Sequence, residues 1–316
     1  MNPRAATMGA ARRRAGLLDR HPRLRQSVLL LRKLLADKVA LAAAIFLVLL
    51  LVCSVFAEEV APHDPVAQNL LLRLRPPVWE QMGLRQYLLG TDPLGRDVLS
   101  RLIFGSRVSL IVGVAVIAIS GAFGTLVGLV AGYFGGRIDN ILMRIVDLQT
   151  AFPGLLVALA IITMIGPSVT NIIIVLSING WMVFARMIRG TALALRTSLF
   201  VDAARCIGLG NGRIIFRHML PNLASPLITL GTLELARIIL AEAVLSFVGM
   251  GIQPPASSWG LMVNEGHPYI TMAWWLVTFP GAAIALTVLA VNLLATWLRA
   301  VTDPMQSQKQ FGPRMR

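Results

Sequence analysis

The chain has 316 residues, of which 56% are hydrophobic and 14% charged, and its mean hydropathy is +0.72. This composition excludes an ordinary soluble domain and indicates an all-α integral membrane protein. A net charge of +14 would suit nucleic acid, but ten of the 29 basic residues lie within the first 38 positions. Basic residues gathered beside a membrane span are typical of attraction to anionic headgroups, so we expect membrane lipid and not nucleic acid as their partner.

Residues 1–38 form this basic arm. Within it, 27–38 has leucines on one side and basic residues on the other, which predicts a helix along the membrane surface. The next 19 residues, 39–57, are uncharged and long enough to cross a core of roughly 30 Å at about 1.5 Å per residue. We predict the first transmembrane helix here. The alternative, a cleaved signal peptide, lacks a small-residue cleavage site after the apolar run.

The following stretch, 58–107, is polar, contains five prolines and predicts an extracytoplasmic loop. Its residues 90–97, GTDPLGRD, are typical of a helix start. Thr91 or Asp92 can cap a helix, and Pro93 suits the first helical position.

A second span is predicted at 108–132, where a core domain begins that runs to residue 303. Gly124, Gly128 and Gly132 recur every four residues along it. This spacing places a smooth groove on one helix face, where a neighbouring backbone can pack closely.

Two further spans are predicted after a short charged turn at 133–147. The 38 uncharged residues that follow the turn are too many for one helix, and Gly166 and Pro167 interrupt them. They therefore predict a third span at 148–165 and a fourth at 168–185.

A polar, basic segment at 198–222 lies between long apolar runs and must therefore fold outside the membrane. Ser198 is expected to cap a helix that reaches about residue 207, with Asp202 in its first turn, where a carboxylate is favoured. Gly208 and Gly210 can take the left-handed conformation that ends a helix.

A second short helix is expected after this turn, capped by Asn211 and stopped by Pro221. On the first helix, Ala203 and Ala204 would leave the surface low, while Phe200 and Leu209 would supply apolar anchors. The segment thus predicts a helix, a sharp turn and a helix that another protein can dock on. An ordinary amphipathic cytoplasmic loop is the alternative.

The fifth span, at 223–247, carries charges: Glu234, Arg237 and Glu242. A charge at the centre of a membrane helix costs about 2.5 to 3.5 kcal/mol on insertion scales, so each needs a reason. Glu234 and Arg237 either pair with each other or line a pathway that meets a substrate's charged ends. Glu242 is nearer the outer end, where we expect it to reach headgroups or water.

The chain ends with a loop at 249–267, rich in glycine and proline, a sixth span at 274–297 and a tail at 304–316. Basic residues lie in the arm, the 133–147 turn, 186–217 and from 299 onward, whereas the loops after the third and fifth spans hold none. Both termini and the 198–222 segment are therefore expected in the cytoplasm. Six arginines in the loop after the first span are an exception.

Catalytic chemistry has little support in the sequence. All four histidines fall outside the predicted spans, and neither Cys53 nor Cys206 has neighbours at metal-ligand spacing, so we expect no metal site. A GxxxxGK[ST] phosphate loop is also missing from the sequence. We therefore expect a protein that is not an enzyme, has no cofactor of its own and receives any ATP-driven work from partner subunits.

The 198–222 segment resembles a known motif. Asp202-Ala203-Ala204, three residues, Gly208 and then Leu220-Pro221 are similar to the EAA loop of ABC-importer permeases. Two positions depart from the pattern, because Asp202 stands where glutamate is commonest and His218 stands where an apolar residue is frequent.

Two other stretches resemble the peptide and nickel branch of the same family. One runs from the GTDPLGRD sequence to Gly105-Ser106-Arg107, and the other is GMGIQPP at 249–255 with Ser258-Trp259-Gly260 after it. From about residue 27 to 303, the chain is similar to the second membrane subunit of dipeptide and oligopeptide importers.

This resemblance implies the six-helix permease fold of type I ABC importers in a bacterial inner membrane. It also implies four kinds of partner: a homologous permease chain that forms a heterodimer, two ATPase subunits that hold ATP and Mg, an extracytoplasmic solute-binding protein and a peptide substrate. The docking residues it implies are Phe200, Asp202, Ala203, Ala204, Gly208, Leu209, Leu220 and Pro221.

Alternatives remain for the substrate and the energy source. Nickel chelates, glutathione and haem are handled within the same branch. A secondary transporter that uses Glu234 and Arg237 as an ion relay would need no ATPase, but it leaves the 198–222 segment unexplained.

Overall fold

A computed structural model describes residues 30–302. Within this range the regular secondary structure is helical, 61–97 is mostly turns and loop, and the only β-pairing is an isolated bridge between Thr91 and Asp97. The helices of eight or more residues are α1 (Lys38–Val55), α2 (Val98–Phe134), α3 (Gly136–Thr150), α4 (Gly154–Ile165), α5 (Val169–Arg196), α6 (Leu199–Cys206), α7 (Ala224–Phe247), α8 (Trp259–Gly266) and α9 (Trp275–Thr302).

Four of the described helices, α1, α2, α5 and α9, are individually long and apolar enough to cross a membrane. Helices α3 and α4 pass the same test only together, and the chain bends by 80° between them. The predicted fifth span is α7, whose 24 residues give about 36 Å of helix, longer than a hydrocarbon core of roughly 30 Å.

The second and third predicted spans differ from the structure. Helix α2 begins at residue 98, ten residues before the predicted start at 108. The Asp97 carboxylate caps it there by accepting from the Ser100 amide at 3.0 Å. The expected turn at 133–147 is the amphipathic helix α3, and α4 alone, with 12 residues, gives only about 18 Å of helix. Pro153, which has no amide hydrogen, stands at the break between α3 and α4.

The starts of the first, fourth, fifth and sixth predicted spans agree more closely with the structure. Helix α1 begins where Asp37 accepts from the amides of Val39 and Ala40, both at 3.1 Å. Helix α5 runs beyond the predicted end at 185 and reaches the polar segment directly. Of the basic arm, residues 30–36 are helical, whereas 1–29 and the tail at 304–316 lie outside the described residues.

A glycine seam joins α2 to α5. A Cβ atom added at Gly124 would lie 2.2 Å from the carbonyl oxygen of Trp181, and one added at Gly128 would lie 2.5 Å from that of Ala185. At Gly132 the nearest atom would be the Cβ of Ala192, at 2.6 Å. Only residues without side chains permit this approach, so the four-residue glycine spacing marks the face that packs on α5.

The glycine- and proline-rich loop predicted at 249–267 contains the helix α8. Trp259, its first residue, is 1% exposed, and its indole N–H donates to the carbonyl of Leu102 in α2 at 2.9 Å. A Cβ at Gly260 would lie 2.3 Å from the carbonyl oxygen of Ala243 in α7. Helix α8 is therefore wedged against α2 and α7 and forms part of the folded core.

Candidate functional site

The loop between α5 and α7, residues 198–222, has an inner face that is buried in the fold. Val201 and Ala204 of α6, three residues apart and therefore on one helix face, are 0% and 5% exposed. They pack with Ile188 and Ala192 of α5 and with Leu129 of α2. The inner face anchors the loop to two membrane helices.

A glycine turn reverses the chain after α6. Gly208 has φ of +78°, the left-handed conformation that glycine adopts without strain. Gly210, which was expected to share this conformation, has φ of −65° and is extended. Pro221 does not stop the second helix as predicted; it stands at the start of a 3₁₀ turn, Leu220–Leu223, where the missing amide hydrogen costs nothing, and the chain continues into α7.

Both predicted capping side chains make other hydrogen bonds. Ser198 stands at the start of α6, but its hydroxyl donates to the Leu195 carbonyl. The Asn211 amide oxygen accepts from the Tyr133 hydroxyl at 2.8 Å, and Gly210 occupies the cap position instead. Ser198 thus holds the predicted cap position without a capping hydrogen bond, and the cap predicted at Asn211 was wrong because the Tyr133 hydroxyl takes its oxygen.

Tyr133, near the end of α2, joins both halves of the loop to the membrane helices. Its ring is 5% exposed and lies 5.4 Å from the guanidinium carbon of Arg205 in α6, while its hydroxyl holds Asn211 after the turn. Arg205 in turn lies 3.2 Å from the Asp202 carboxylate. No local sequence pattern indicates this role of Tyr133, because Tyr133 and Asn211 are 78 positions apart.

The outer face of the loop exposes apolar side chains. Leu199 is 89% exposed, Ile207 75%, Phe216 55% and Phe200 40%. Only Phe200 was singled out from the sequence, although the 3.6-residue period of α6 places 200, 203 and 207 on one side. An exposed apolar patch of this kind marks an interaction surface.

The structure divides the residues expected to dock. Phe200, Asp202, Ala203 and Gly208 are exposed, as is Pro221. Ala204 is buried, and both Leu209 and Leu220 pack against the inner cluster. Ala204 lies on the face that the helix period turns toward the core, and Leu209, in the turn after α6, contacts the same cluster. Both side chains therefore support the loop from its inner side, and docking through the exposed residues stays a prediction.

The charges of α7 fall into two different environments. Glu234 is 6% exposed, and its Oε2 lies 3.5 Å from Nε of Arg237, whose side chain is 62% exposed. Both residues line a cavity of about 310 Å³ between α4, α5 and α7. The pair proposed from the sequence is thus present, and it borders an open space.

Glu242 is fully buried, so the expectation that it reaches headgroups or water was wrong. Its carboxylate accepts from the hydroxyl of Ser109 in α2 at 2.9 Å and from that of Ser246, one turn along α7, at 2.8 Å. The position of Glu242 near the end of α7 suggested that its side chain is exposed, but α2 and α8 cover this part of α7.

A buried ionic cluster joins the start of α2 to α8. Asp92 lies 2.6 Å from Arg101, and Glu265 of α8 lies 2.7 Å from Arg101 and 3.0 Å from Arg96. Asp92, Arg96 and Arg101 are at most 5% exposed. Neither Thr91 nor Asp92 caps the helix as predicted, because Asp92 is held in this cluster and Asp97 takes the cap.

Two family models match this chain. Residues 124–308 match the family described as binding-protein-dependent transport system inner membrane component. Residues 26–77 match the N-terminal transmembrane domain of oligopeptide transport permease C.

Curated relatives match most of the chain. The di/tripeptide transport system permease protein DppC of Pseudomonas aeruginosa is 41% identical and covers 85% of this chain and 88% of its own length. The probable D,D-dipeptide transport system permease protein DdpC of Escherichia coli is 38% identical with the same coverage. The glutathione transport system permease protein GsiD of Pectobacterium atrosepticum is 37% identical and covers 86% of this chain and 89% of its own.

One solved structure with some similarity is the methionine ABC transporter MetNI in inward-facing conformations. It covers 61% of this chain and 94% of its own, with 19% identity and a TM-score of 0.47. The family matches and the curated relatives settle the assignment. The chain is a multi-pass inner-membrane protein that belongs to the permeases of binding-protein-dependent ABC transporters, in the branch with the oligopeptide permease N-terminal domain.

Proposed function

We propose that this chain is one of two different permease subunits in an ATP-driven importer of short peptides, and that the outer face of the 198–222 loop docks on an ATPase subunit. The observation that carries the proposal is the two-sided loop. Its inner face is fixed to α2 and α5, while its outer face exposes Leu199, Phe200, Ile207 and Phe216. A surface that is rigidly held and apolar suits a partner's groove.

The mechanism follows from the loop's connections. ATP binding closes the two ATPase subunits and displaces the docked loops. Because the loop is continuous with α5 and α7 and is held to α2 through Tyr133, a displacement moves three helices together. The permease pair then switches between inward-facing and outward-facing states, each favoured by a different state of the ATPases. ATP and Mg are held by the ATPases, and this chain contributes no catalytic group.

We propose that both termini and the docking loop face the cytoplasm. The distribution of basic residues supports this orientation, apart from the arginines at 58–107. Three of those arginines have acidic partners: Arg96 and Arg101 lie in the buried cluster, and Arg107 lies 3.1 Å from Glu58. Arginines bound within the folded protein present less free charge at that surface.

Peptides are the proposed substrate because relatives of similar length are named for di- and tripeptide and D,D-dipeptide transport. A relative named for glutathione transport makes glutathione the second candidate. An extracytoplasmic binding protein is expected to deliver the substrate, and the choice between these solutes lies partly with that protein.

The test is uptake of radiolabelled Ala-Ala into proteoliposomes that contain this chain, its permease partner, the ATPase subunits and the binding protein. Uptake is expected only with ATP. Gly208→Val should abolish it while the subunit still inserts, because a β-branched residue is strained at φ of +78°. Gly208→Asn is the matched control, since asparagine tolerates this conformation and the space around Gly208 is open.

Three outcomes are informative. Uptake by wild type and the Asn variant, but not the Val variant, supports the docking loop. Full uptake by the Val variant contradicts the loop's role. ATP-driven uptake of glutathione but not of Ala-Ala would support an ATP-driven importer and show that glutathione, not a dipeptide, is its substrate.

A further inference from the structure

The cavity beside Glu234 contains a carboxylate oxygen that has no hydrogen-bond donor. Oε2 of Glu234 is buried and unpartnered among residues 30–302, and the Arg237 nitrogen at 3.5 Å is too far for a good hydrogen bond. Arg237 offsets the charge of Glu234 across this distance but leaves the buried oxygen without a close donor. An N–H group of a ligand can therefore complete the hydrogen bonding of this carboxylate.

Arg237 is the complementary half of the site. Its side chain is 62% exposed and makes no hydrogen bond within the described part of the chain. Its long, mobile side chain can turn away from Glu234 and present its five N–H donors to an anion. Among the described residues, 30–302, Glu234 and Arg237 alone of the ionisable residues line this cavity.

The two charges are complementary to a small molecule that carries both an ammonium and a carboxylate. The cavity of about 310 Å³ is near the lower end of ligand sites, which span about 300 to 1,000 Å³. An extended dipeptide is about 7 Å long at 3.3 to 3.6 Å per residue, so a di- or tripeptide suits this space. Arg237 must swing outward to make room between the charges.

We propose that Glu234 and Arg237 form a binding site for the free ends of a short peptide during its passage, with the ammonium on Glu234 and the carboxylate on Arg237. The inference rests on the proposed peptide transport and adds where and how this chain contacts the substrate. It favours the pathway role over a purely structural pair.

The test is direct binding of radiolabelled Ala-Ala to the complete transporter in nanodiscs, measured by scintillation proximity without the binding protein. Unlabelled Ala-Ala is expected to compete at least about tenfold better than N-acetyl-Ala-Ala or Ala-Ala amide, the scale of one charged hydrogen bond. Arg237→Gln and Glu234→Gln should each lower affinity by about tenfold or more, whereas Arg237→Lys keeps the charge and most of the binding.

The matched control is Arg186→Gln, which removes an exposed arginine of α5 that pairs with Asp147 of α3 and does not line the cavity, and it should leave binding unchanged. The site would be overturned if the blocked peptides compete as well as Ala-Ala, or if the Gln variants bind Ala-Ala as tightly as the wild type. Absence of Ala-Ala binding by the wild type would overturn it as well. If ATP-driven Ala-Ala uptake is nevertheless present, the proposed function survives. If uptake is absent as well, the proposed function itself fails.

Discussion

The two ends of the helix bundle differ in whether their notable side chains find partners within the chain. At the end where α8 packs on α2, the charged groups Asp92, Arg96, Arg101 and Glu265 bind one another, and Glu242 is satisfied by serine hydroxyls. At the other end, the 198–222 loop leaves large apolar side chains exposed. The cluster charges and Glu242 at the first end find their partners within residues 30–302, whereas the apolar side chains that the 198–222 loop exposes have none there.

This difference separates residues that hold the fold from residues that serve another molecule. A polar group with partners from several elements fixes those elements together. An exposed apolar patch on a well-anchored loop adds nothing to the fold, so its reason lies outside the chain. The contrast predicts that substitutions at the α8 end lower stability and that substitutions at the loop end change coupling.

The largest effect is expected from Arg101→Leu, which leaves Asp92 and Glu265 without their shared partner. Removing one member of a buried ion cluster costs about 3 to 5 kcal/mol, so the subunit should unfold at a clearly lower temperature in detergent. The matched control is Arg186→Leu, whose pair with Asp147 is exposed on both sides and should cost less than about 1 kcal/mol. Equal melting temperatures for the two variants would contradict the contrast.

A smaller loss of stability is expected from Glu242→Ala. This change leaves the hydroxyls of Ser109 and Ser246 without their acceptor and should cost about 2 kcal/mol in free energy of unfolding. Glu242→Gln keeps one acceptor oxygen and should lose less. Denaturation of the purified subunit measures both, and an unchanged stability of the Ala variant would show that the buried carboxylate holds nothing together.

The smallest change in stability, and the largest in coupling, is expected from Tyr133→Phe. It removes one hydrogen bond, worth about 1 kcal/mol, and keeps the ring beside Arg205. ATP hydrolysed per peptide imported should rise, because the loop loses its hydrogen bond to α2 and transmits its movement to that helix less completely. Asn211→Ala should give the same increase, and the double variant should add nothing. If the effects of the two single variants simply add in the double variant, or if the ATP hydrolysed per peptide does not change, Tyr133 does not transmit the movement of the loop.

Much of this fold follows from the sequence because its signals are local. The apolar runs, the glycine seam and the helix, turn and helix of the loop each lie within about 25 neighbouring residues. The φ of +78° at Gly208 was predictable from glycine's preference at helix ends.

The missed features depend on contacts between distant parts of the chain. The partner of Glu242 lies 133 positions away in α2, and that of Arg96 lies 169 positions away in α8. No local pattern distinguishes a glutamate near the end of a helix that reaches water from one that a neighbouring helix covers. For the same reason, the role of Tyr133 was not predicted, and Asp92 was predicted to cap a helix although it forms an ion pair.

The most direct test of the central claim uses the chain's two cysteines. Cys206 is exposed on the docking loop, whereas Cys53 is half-buried in α1. Maleimide labelling of Cys206, in a Cys53→Ser variant, should be strongly slowed when the ATPase subunits bind, while labelling of Cys53 in a Cys206→Ser variant should not change. Labelling of Cys206 at the same rate with and without bound ATPase subunits would contradict docking at this loop.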